Sequence, residues 1–208
     1  MKKRARTSEE KIAKKNLLLD TAKGLFKELG FRGTTVEIIT NNAGLSTGTF
    51  YLYFKSKIDI YRELNIIAVD ILYSIIKEEL DNEANDVKTK IRLVLKAYLR
   101  FYHEENDYYY IMSILHLGQR DFFYDFFKAD YLYKRANDLL LEIKAIFDDG
   151  VKSGEMREVD TLKLSLSFWG IIEGVLLLDV TRNATIINAE INDMAEFTMD
   201  QFFRGIMN

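Results

Sequence analysis

The stretch Gly33-Thr34-Thr35-Val36-Glu37-Ile38-Ile39, continuing through Thr40-Asn41-Asn42 and Ala43-Gly44-Leu45-Ser46 to Thr47-Gly48-Thr49-Phe50-Tyr51-Leu52-Tyr53-Phe54-Lys55-Ser56-Lys57, decides the fold. Thr34 to Glu37 has the spacing of a capping box, Ile38 and Ile39 supply apolar faces, and Gly44 ends the helix after barely two turns. Ser46 caps a second short helix whose first turn is Thr47, Gly48 and Thr49. Phe50 to Phe54 has β propensity but no partner strand and follows a cap, so it reads as helix, with Phe50 and Phe54 on one face. Tyr51 and Tyr53 are expected on the opposite side and Leu52 is expected to pack inward. A short helix, a tight turn with glycine at the bend and a second short helix make a helix-turn-helix, whose second helix enters the major groove of DNA.

Upstream, a helix is expected from Ser8 to about Leu29. Thr7 and Glu10 have capping-box spacing, Ile12, Leu18, Ala22, Leu25, Phe26 and Leu29 form an apolar stripe, and Gly30 is the stop. Downstream, a helix from Ser56 or Lys57 to about Leu80 leads into a body read as helices over Lys88–Tyr102, Tyr108–Leu117, Asp121–Ala129, Tyr131–Asp148, Asp160–Val180 and Glu190–Met207. The chain has no proline, so long uninterrupted helices form easily. The expected architecture is all-α, about nine helices. Residues 1–57 form a three-helix DNA-binding domain with a helix-turn-helix, and 58–208 a larger helical ligand-binding and dimerisation domain.

Gly33 to Ile39 and Ala43 to Lys57, with Phe26, Gly30 and Phe31 upstream, resemble the TetR family of bacterial transcriptional regulators, with a departure at Thr40-Asn41-Asn42. Gly150, Ser153-Gly154-Glu155, Asp160, Trp169-Gly170 and Gly174 are similar to the last helices of many members, which usually build a four-helix dimer interface. The resemblance implies a phosphate contact for Lys57 and a similar role for Thr35 at the start of the second helix. It also implies an effector pocket in the body. From chemistry alone, Thr47, Gly48 and Thr49 let backbone approach base edges, or merely cap the helix. Tyr51 and Tyr53 offer hydroxyls to phosphate or bases, or are buried. Lys2, Lys3, Arg4 and Arg6 read either as an arm reaching the flanking groove or as a solvated tail.

The net charge of −3 hides an asymmetry. Residues 1–60 hold 12 Lys and Arg against 6 Asp and Glu, a net +6, and the remainder holds 17 against 26, a net −9. A basic end on an acidic body suits a polyanion partner at that end. The absence of cysteine excludes disulfides, thiolate nucleophiles and cysteine zinc sites, and fits a reducing cytoplasm. No apolar signal core follows the basic start. Phe168 to Val180, the most apolar stretch, is broken by Glu173 and reads as too short to span a membrane, so no membrane partner is expected.

Aromatics are dense from Phe101 to Tyr133. They read as core, or as the lining of a mainly apolar pocket in which tyrosine hydroxyls orient a ligand. Tyr102, Tyr109, Tyr110, Phe123 and Trp169 are the candidate contacts. His116 and Glu173 are the candidate partly buried polar groups, or else satisfied core residues. His103 beside Glu104 and Glu105 makes no metal site, because helix neighbours point apart. With two histidines and no glycine-rich phosphate loop, no catalytic, metal or cofactor site is expected. The function expected is a homodimeric repressor on a pseudo-palindromic operator in double-stranded DNA, released by a small apolar or aromatic effector. The rivals are a helical small-molecule-binding protein without a DNA role and a helical enzyme with an unrecognised site.

Overall fold

A computed structural model describes residues 2–81, 86–116, 130–180 and 190–208. Nine helices are present among the described residues: α1 Lys2–Gly33, α2 Val36–Asn42, α3 Thr47–Tyr51, α4 Lys57–Leu80, α5 Val87–Glu104, α6 Asn106–His116, α7 Asp130–Ser153, α8 Thr161–Val180 and α9 Ile191–Ile206. The all-α expectation holds. The helix expected over Asp121–Ala129 lies outside the described residues.

Two compact units are formed. The first takes in α1 to α3, α4 as far as Ala68, and α6 from Asp107. Its centre is set by α1, whose Leu18, Ala22, Leu25 and Phe26 are buried at the three-to-four spacing of one helical face, with Ile39, Phe50, Phe54, Ile60, Tyr61 and Leu64. Complete burial of Phe26 contributes about 2–3 kcal/mol through apolar area alone. Its ring meets those of Phe31 at 5.5 Å and Tyr61 at 5.3 Å. The Tyr61 hydroxyl donates 2.6 Å to the Ile111 carbonyl, fastening α6 to α4. Lys23 lies 4.2 Å over the Tyr108 ring and Lys27 pairs with Asp107, both on the first turn of α6.

α1 starts at Lys2, earlier than the expected Ser8, so the basic residues 2–6 continue a helix. Gly30, at φ 70°, interrupts it where the stop was expected. The ends of the expected stripe, Ile12 and Leu29, are exposed. The expected box from Thr34 to Glu37 does not form. Thr34 is buried, its hydroxyl bonding the Leu25 and Gly30 carbonyls at 3.1 and 2.8 Å, and Thr35 is the cap instead.

The second unit comprises the rest of α4 with α5, α7, α8 and α9. α8 buries Leu164, Phe168, Ile172 and Leu176, every fourth residue, against α5, α7 and α9. Phe168 packs its ring 5.9 Å from Phe147 and 5.8 Å from Phe202. Gly150 on α7 is a close approach, since a Cβ there would stand 2.6 Å from the Met156 Sδ. The length expectation for α8 needs correction. Its 20 residues, with mean hydropathy 1.5 over the most apolar 18, are enough by length and composition to cross a bilayer, because the helix is apolar well before Phe168. Its buried residues form a regular stripe, while the rest of the helix is half-buried or exposed.

The turn between α2 and α3 rests on Gly44 at φ 65°, a backbone that L side chains adopt at a cost of about 1–2 kcal/mol. Gly24 sits mid-α1, exposed, with nothing within 4 Å of a Cβ built on it. Gly44→Ala should therefore lower unfolding stability by about 1 kcal/mol, while Gly24→Ala should raise it by up to about 1 kcal/mol. Urea melts of the two variants should move in opposite directions, and a shared direction would contradict this backbone assignment.

Candidate nucleic-acid interface

The α2–turn–α3 motif is fixed by short-range bonds that the sequence announces. Thr35 accepts from the Ile38 N–H at 3.2 Å and caps α2. At the first turn of α2, the Glu37 carboxyl is held below its ordinary range by its own backbone N–H and by the Thr35 hydroxyl. The backbone N–H groups of Gly44 and Leu45 return to the Asn41 and Thr40 carbonyls and close the turn. Ser46 then caps α3, its Oγ accepting from the Thr49 N–H at 3.1 Å and sharing a hydrogen with the Thr49 hydroxyl at 2.9 Å.

These bonds leave the N-terminal end of α3 open: Thr47 and Gly48 are exposed, while Thr49 is half-buried with its hydroxyl engaged. Phe50 and Phe54 are buried with ring centroids 5.6 Å apart, as expected from their spacing. Tyr51 is 58% exposed, and Tyr53 is half-buried. Leu52 contradicts its expected inward packing, being 80% exposed. The reason is helical phase: two residues beyond Phe50, at about 100° each, put Leu52 roughly opposite the buried face. The same arithmetic would have identified Leu52 from sequence as part of the open face. Thr35, Thr47, Gly48, Tyr51 and Leu52 thus form an uncharged exposed set whose hydroxyls can bond base edges or phosphates and whose leucine can meet a thymine methyl.

Lys57 is placed differently from the other candidates. Its ammonium donates 2.6 Å to the Phe31 carbonyl and 2.6 Å to the Thr34 carbonyl, and lies 4.3 Å over the Phe31 ring. Burial draws its pKa below that of a solvated lysine. Two of its three N–H groups are occupied internally, which gives Lys57 a structural task beside any phosphate contact.

The effector candidates are dispersed. Tyr109, buried, and Tyr110, half-buried, belong to the first unit; Tyr102, Trp169 and Glu173 belong to the second. The side chain of His116 and all of Phe123 lie outside the described residues. Tyr102 is buried and donates to the Asp179 carboxylate. Glu173 is half-buried, and its charge adds to burial in pushing the buried Tyr98 hydroxyl upward. Trp169 is exposed with Leu162 and Leu166 on the outer side of α8, away from the buried stripe, because residues 162, 166 and 169 share one helical face. A cavity of about 10 Å³ lined by Leu95, Leu99, Ile172, Leu176 and Met199 has space for about one water and no polar lining to hold it.

Residues 18–64 match the family described as bacterial regulatory proteins, tetR family. The chain is 24% identical over 201 residues to the uncharacterized HTH-type transcriptional regulator YfiR of Bacillus subtilis, covering 91% of this chain and 90% of that one. It is 27% identical over 154 residues to the fatty acid metabolism regulator protein of Bacillus subtilis, covering 72% and 74%. The fold is similar to that of the transcriptional regulator FadR from Bacillus subtilis in complex with stearoyl-CoA, with a TM-score of 0.76, 21% identity, and coverage of 91% and 97%.

Because the Lys57 ammonium carries two backbone carbonyls, Lys57→Ala should destabilise the fold by about 1–3 kcal/mol. Tyr51→Ala removes an exposed ring and should leave stability within about 0.5 kcal/mol. Guanidinium melts of both variants check this, and an unchanged midpoint for Lys57→Ala would mean that its internal bonds contribute nothing.

Proposed function

We propose, for a chain whose residues 18–64 match the tetR family of bacterial regulatory proteins, a ligand-responsive transcriptional repressor that binds a pseudo-palindromic operator as a homodimer in the cytoplasm. The observation that carries this reading is the open N-terminal face of α3, held by the Ser46 cap and the Gly44 turn on a buried Phe50–Phe54 base. In a helix-turn-helix that face enters the major groove, and two-fold symmetry of the protein asks for two half-sites about one helical turn apart.

A dimer is supported by the apolar residues that α8 and α9 leave in solvent. Leu162, Leu166, Trp169 and Leu178 are exposed on α8, and Phe197 on α9 is 66% exposed. On α9, Ile191 is buried within its own unit and Met194, Thr198 and Phe202 are half-buried, so Phe197 is the outward anchor. Side chains of this size left in water favour an isologous contact with a second copy.

For the effector we propose a long apolar molecule. A relative regulates fatty acid metabolism and a structural neighbour holds stearoyl-CoA. In this chain the Tyr102–Asp179 pair and Glu173 are polar groups of the second unit that would orient such a ligand. An effector releases DNA only through different affinities for the two states of the protein.

DNA selected from random sequence by the protein should show an inverted repeat. Tyr51→Ala should bind it at least about tenfold more weakly, as loss of one base or phosphate contact implies. One compound from a panel of long-chain fatty acids, their coenzyme A thioesters and aromatic acids should both bind the protein and release that DNA. Selection of no DNA would reject the regulator reading, and release by none of these compounds would reject the effector class. Leu162→Glu with Leu166→Glu should convert the dimer to folded monomers in sedimentation, and a parent chain already monomeric at micromolar concentration would reject the dimer.

A further inference from the structure

The helix α3 with its two caps is Ser46-Thr47-Gly48-Thr49-Phe50-Tyr51-Leu52, a run without Arg, Lys, Asn, Gln, Asp or Glu. Side chains that read a base pair through paired hydrogen bonds are Arg or Lys on guanine and Asn or Gln on adenine, and a carboxylate accepts from cytosine. None of these belongs to α3. What remains to it is a single bond from a hydroxyl, which serves several bases, and apolar contact with the C5-methyl of thymine. Of the hydroxyls, that of Thr49 is already engaged with Ser46 at 2.9 Å. The lysines that follow belong to the entry of α4: the Lys55 N–H donates 2.9 Å to the Asp59 carboxylate, and the Lys57 ammonium is bonded to the Phe31 and Thr34 carbonyls.

Leu52 holds backbone angles of φ −73° and ψ −21°, so it continues the helical phase of α3. At about 100° per residue, Gly48 falls between Tyr51 and Leu52 on the arc opposite Phe50. The outermost line of the helix therefore starts with no side chain and ends on a leucine that is 80% exposed, flanked by the exposed Tyr51. A Cβ built on Gly48 would meet only the Ser46 Oγ, at 3.7 Å, so the start of that line is open. The Tyr51 ring is braced edge-on against the buried Phe50 ring, 5.5 Å between centroids at 85°. A lone leucine in water is ordinary on a protein surface. This one ends the outward line of an element that carries no charge, so a base edge approached by that line meets hydrocarbon.

We infer that Leu52, with the Tyr51 ring beside it, reads the C5-methyl of thymine in the major groove, and that this apolar contact sets the sequence preference of α3. The inference rests on the DNA-binding reading proposed above and narrows it. Each half-site should hold thymine where the end of α3 meets the groove, and the guanine contact that is commonest in direct readout should be missing from this helix. Duplex DNA is favoured over a second copy of the chain as the occupant, because one leucine and one tyrosine offer far less than the roughly 800 Å² per partner of a stable protein interface.

The test uses the duplex that the full chain selects from random sequence, with each thymine in turn replaced by deoxyuridine in both half-sites. That exchange removes the methyl and keeps every hydrogen-bonding group of the base pair. Replacement at the position facing Leu52 should weaken the parent about tenfold, as loss of one buried methyl in each half-site implies. Leu52→Ala should bind the thymine duplex more weakly by a similar factor and should no longer distinguish uracil from thymine there. Its salt slope should equal the parent's because no cation is lost, and its urea midpoint should stay in place because the side chain is in solvent. Equal binding of the parent to every uracil duplex overturns the inference and leaves the regulator reading standing. So does a Leu52→Ala variant that keeps the parent's loss at uracil, since another group then reads the methyl. Altered sedimentation of Leu52→Ala with DNA binding unchanged would assign Leu52 to a contact between copies instead. A parent that selects no duplex overturns this inference together with the reading beneath it.

Discussion

The carbonyl groups left open at the C-terminal end of α1 are the constraint around which the first unit is arranged. A helix end leaves its last carbonyls without intrahelical donors, and when that end is partly buried other groups must supply them. Here the Thr34 hydroxyl bonds the Leu25 and Gly30 carbonyls, and the Lys57 ammonium bonds those of Phe31 and Thr34. One junction therefore joins the end of α1, the entry to α2 and the start of α4. With those three ends fixed, Phe26, Phe31 and Tyr61 meet as one aromatic cluster, and α3 is left to sit on Phe50 and Phe54 with its first turn in solvent.

The second unit is governed by α8, which carries apolar residues on two faces. Leu164, Phe168, Ile172 and Leu176 fill the interior, and Leu162, Leu166, Trp169 and Leu178 remain outside. A helix apolar on more than one side demands cover on more than one side. The C-terminal half of this helix also supplies polar groups, Asp179 bonded by Tyr102 of α5 and Glu173 whose charge acts on Tyr98 of α5.

Most of the helix-turn-helix was legible in the sequence because its signals are local. Ser46, Thr35 and Gly44 act on backbone groups within three or four residues, and the Phe50–Phe54 spacing reports the buried face directly. The cap at Thr35 instead of Thr34 was not legible, because Thr34 is drawn inward by carbonyls of the preceding helix. Lys57 was read as a phosphate contact through the family resemblance, yet its partners are carbonyls 23 and 26 residues earlier, which no periodicity reveals. Trp169 attracts a pocket assignment as the single tryptophan, but its helical phase with Leu162 and Leu166 carries it outward. Phe197 was missed on α9 because an amphipathic pattern identifies the inner face well and says little about which outer residue is apolar by purpose.

The bond from the Tyr61 hydroxyl to the Ile111 carbonyl closes a span of 50 residues. With Lys27 on Asp107 it makes the first unit discontinuous in sequence, since α6 is supplied only after α5, a helix of the other unit, has been made. During synthesis the N-terminal helices emerge first but lack the element that covers Tyr61, and loop closure over that distance must precede the contact. The two units are consequently interleaved in time as well as in sequence. Neither is complete before the chain has passed through the other, so the usual order of folding, N-terminal domain first, does not apply to this protein.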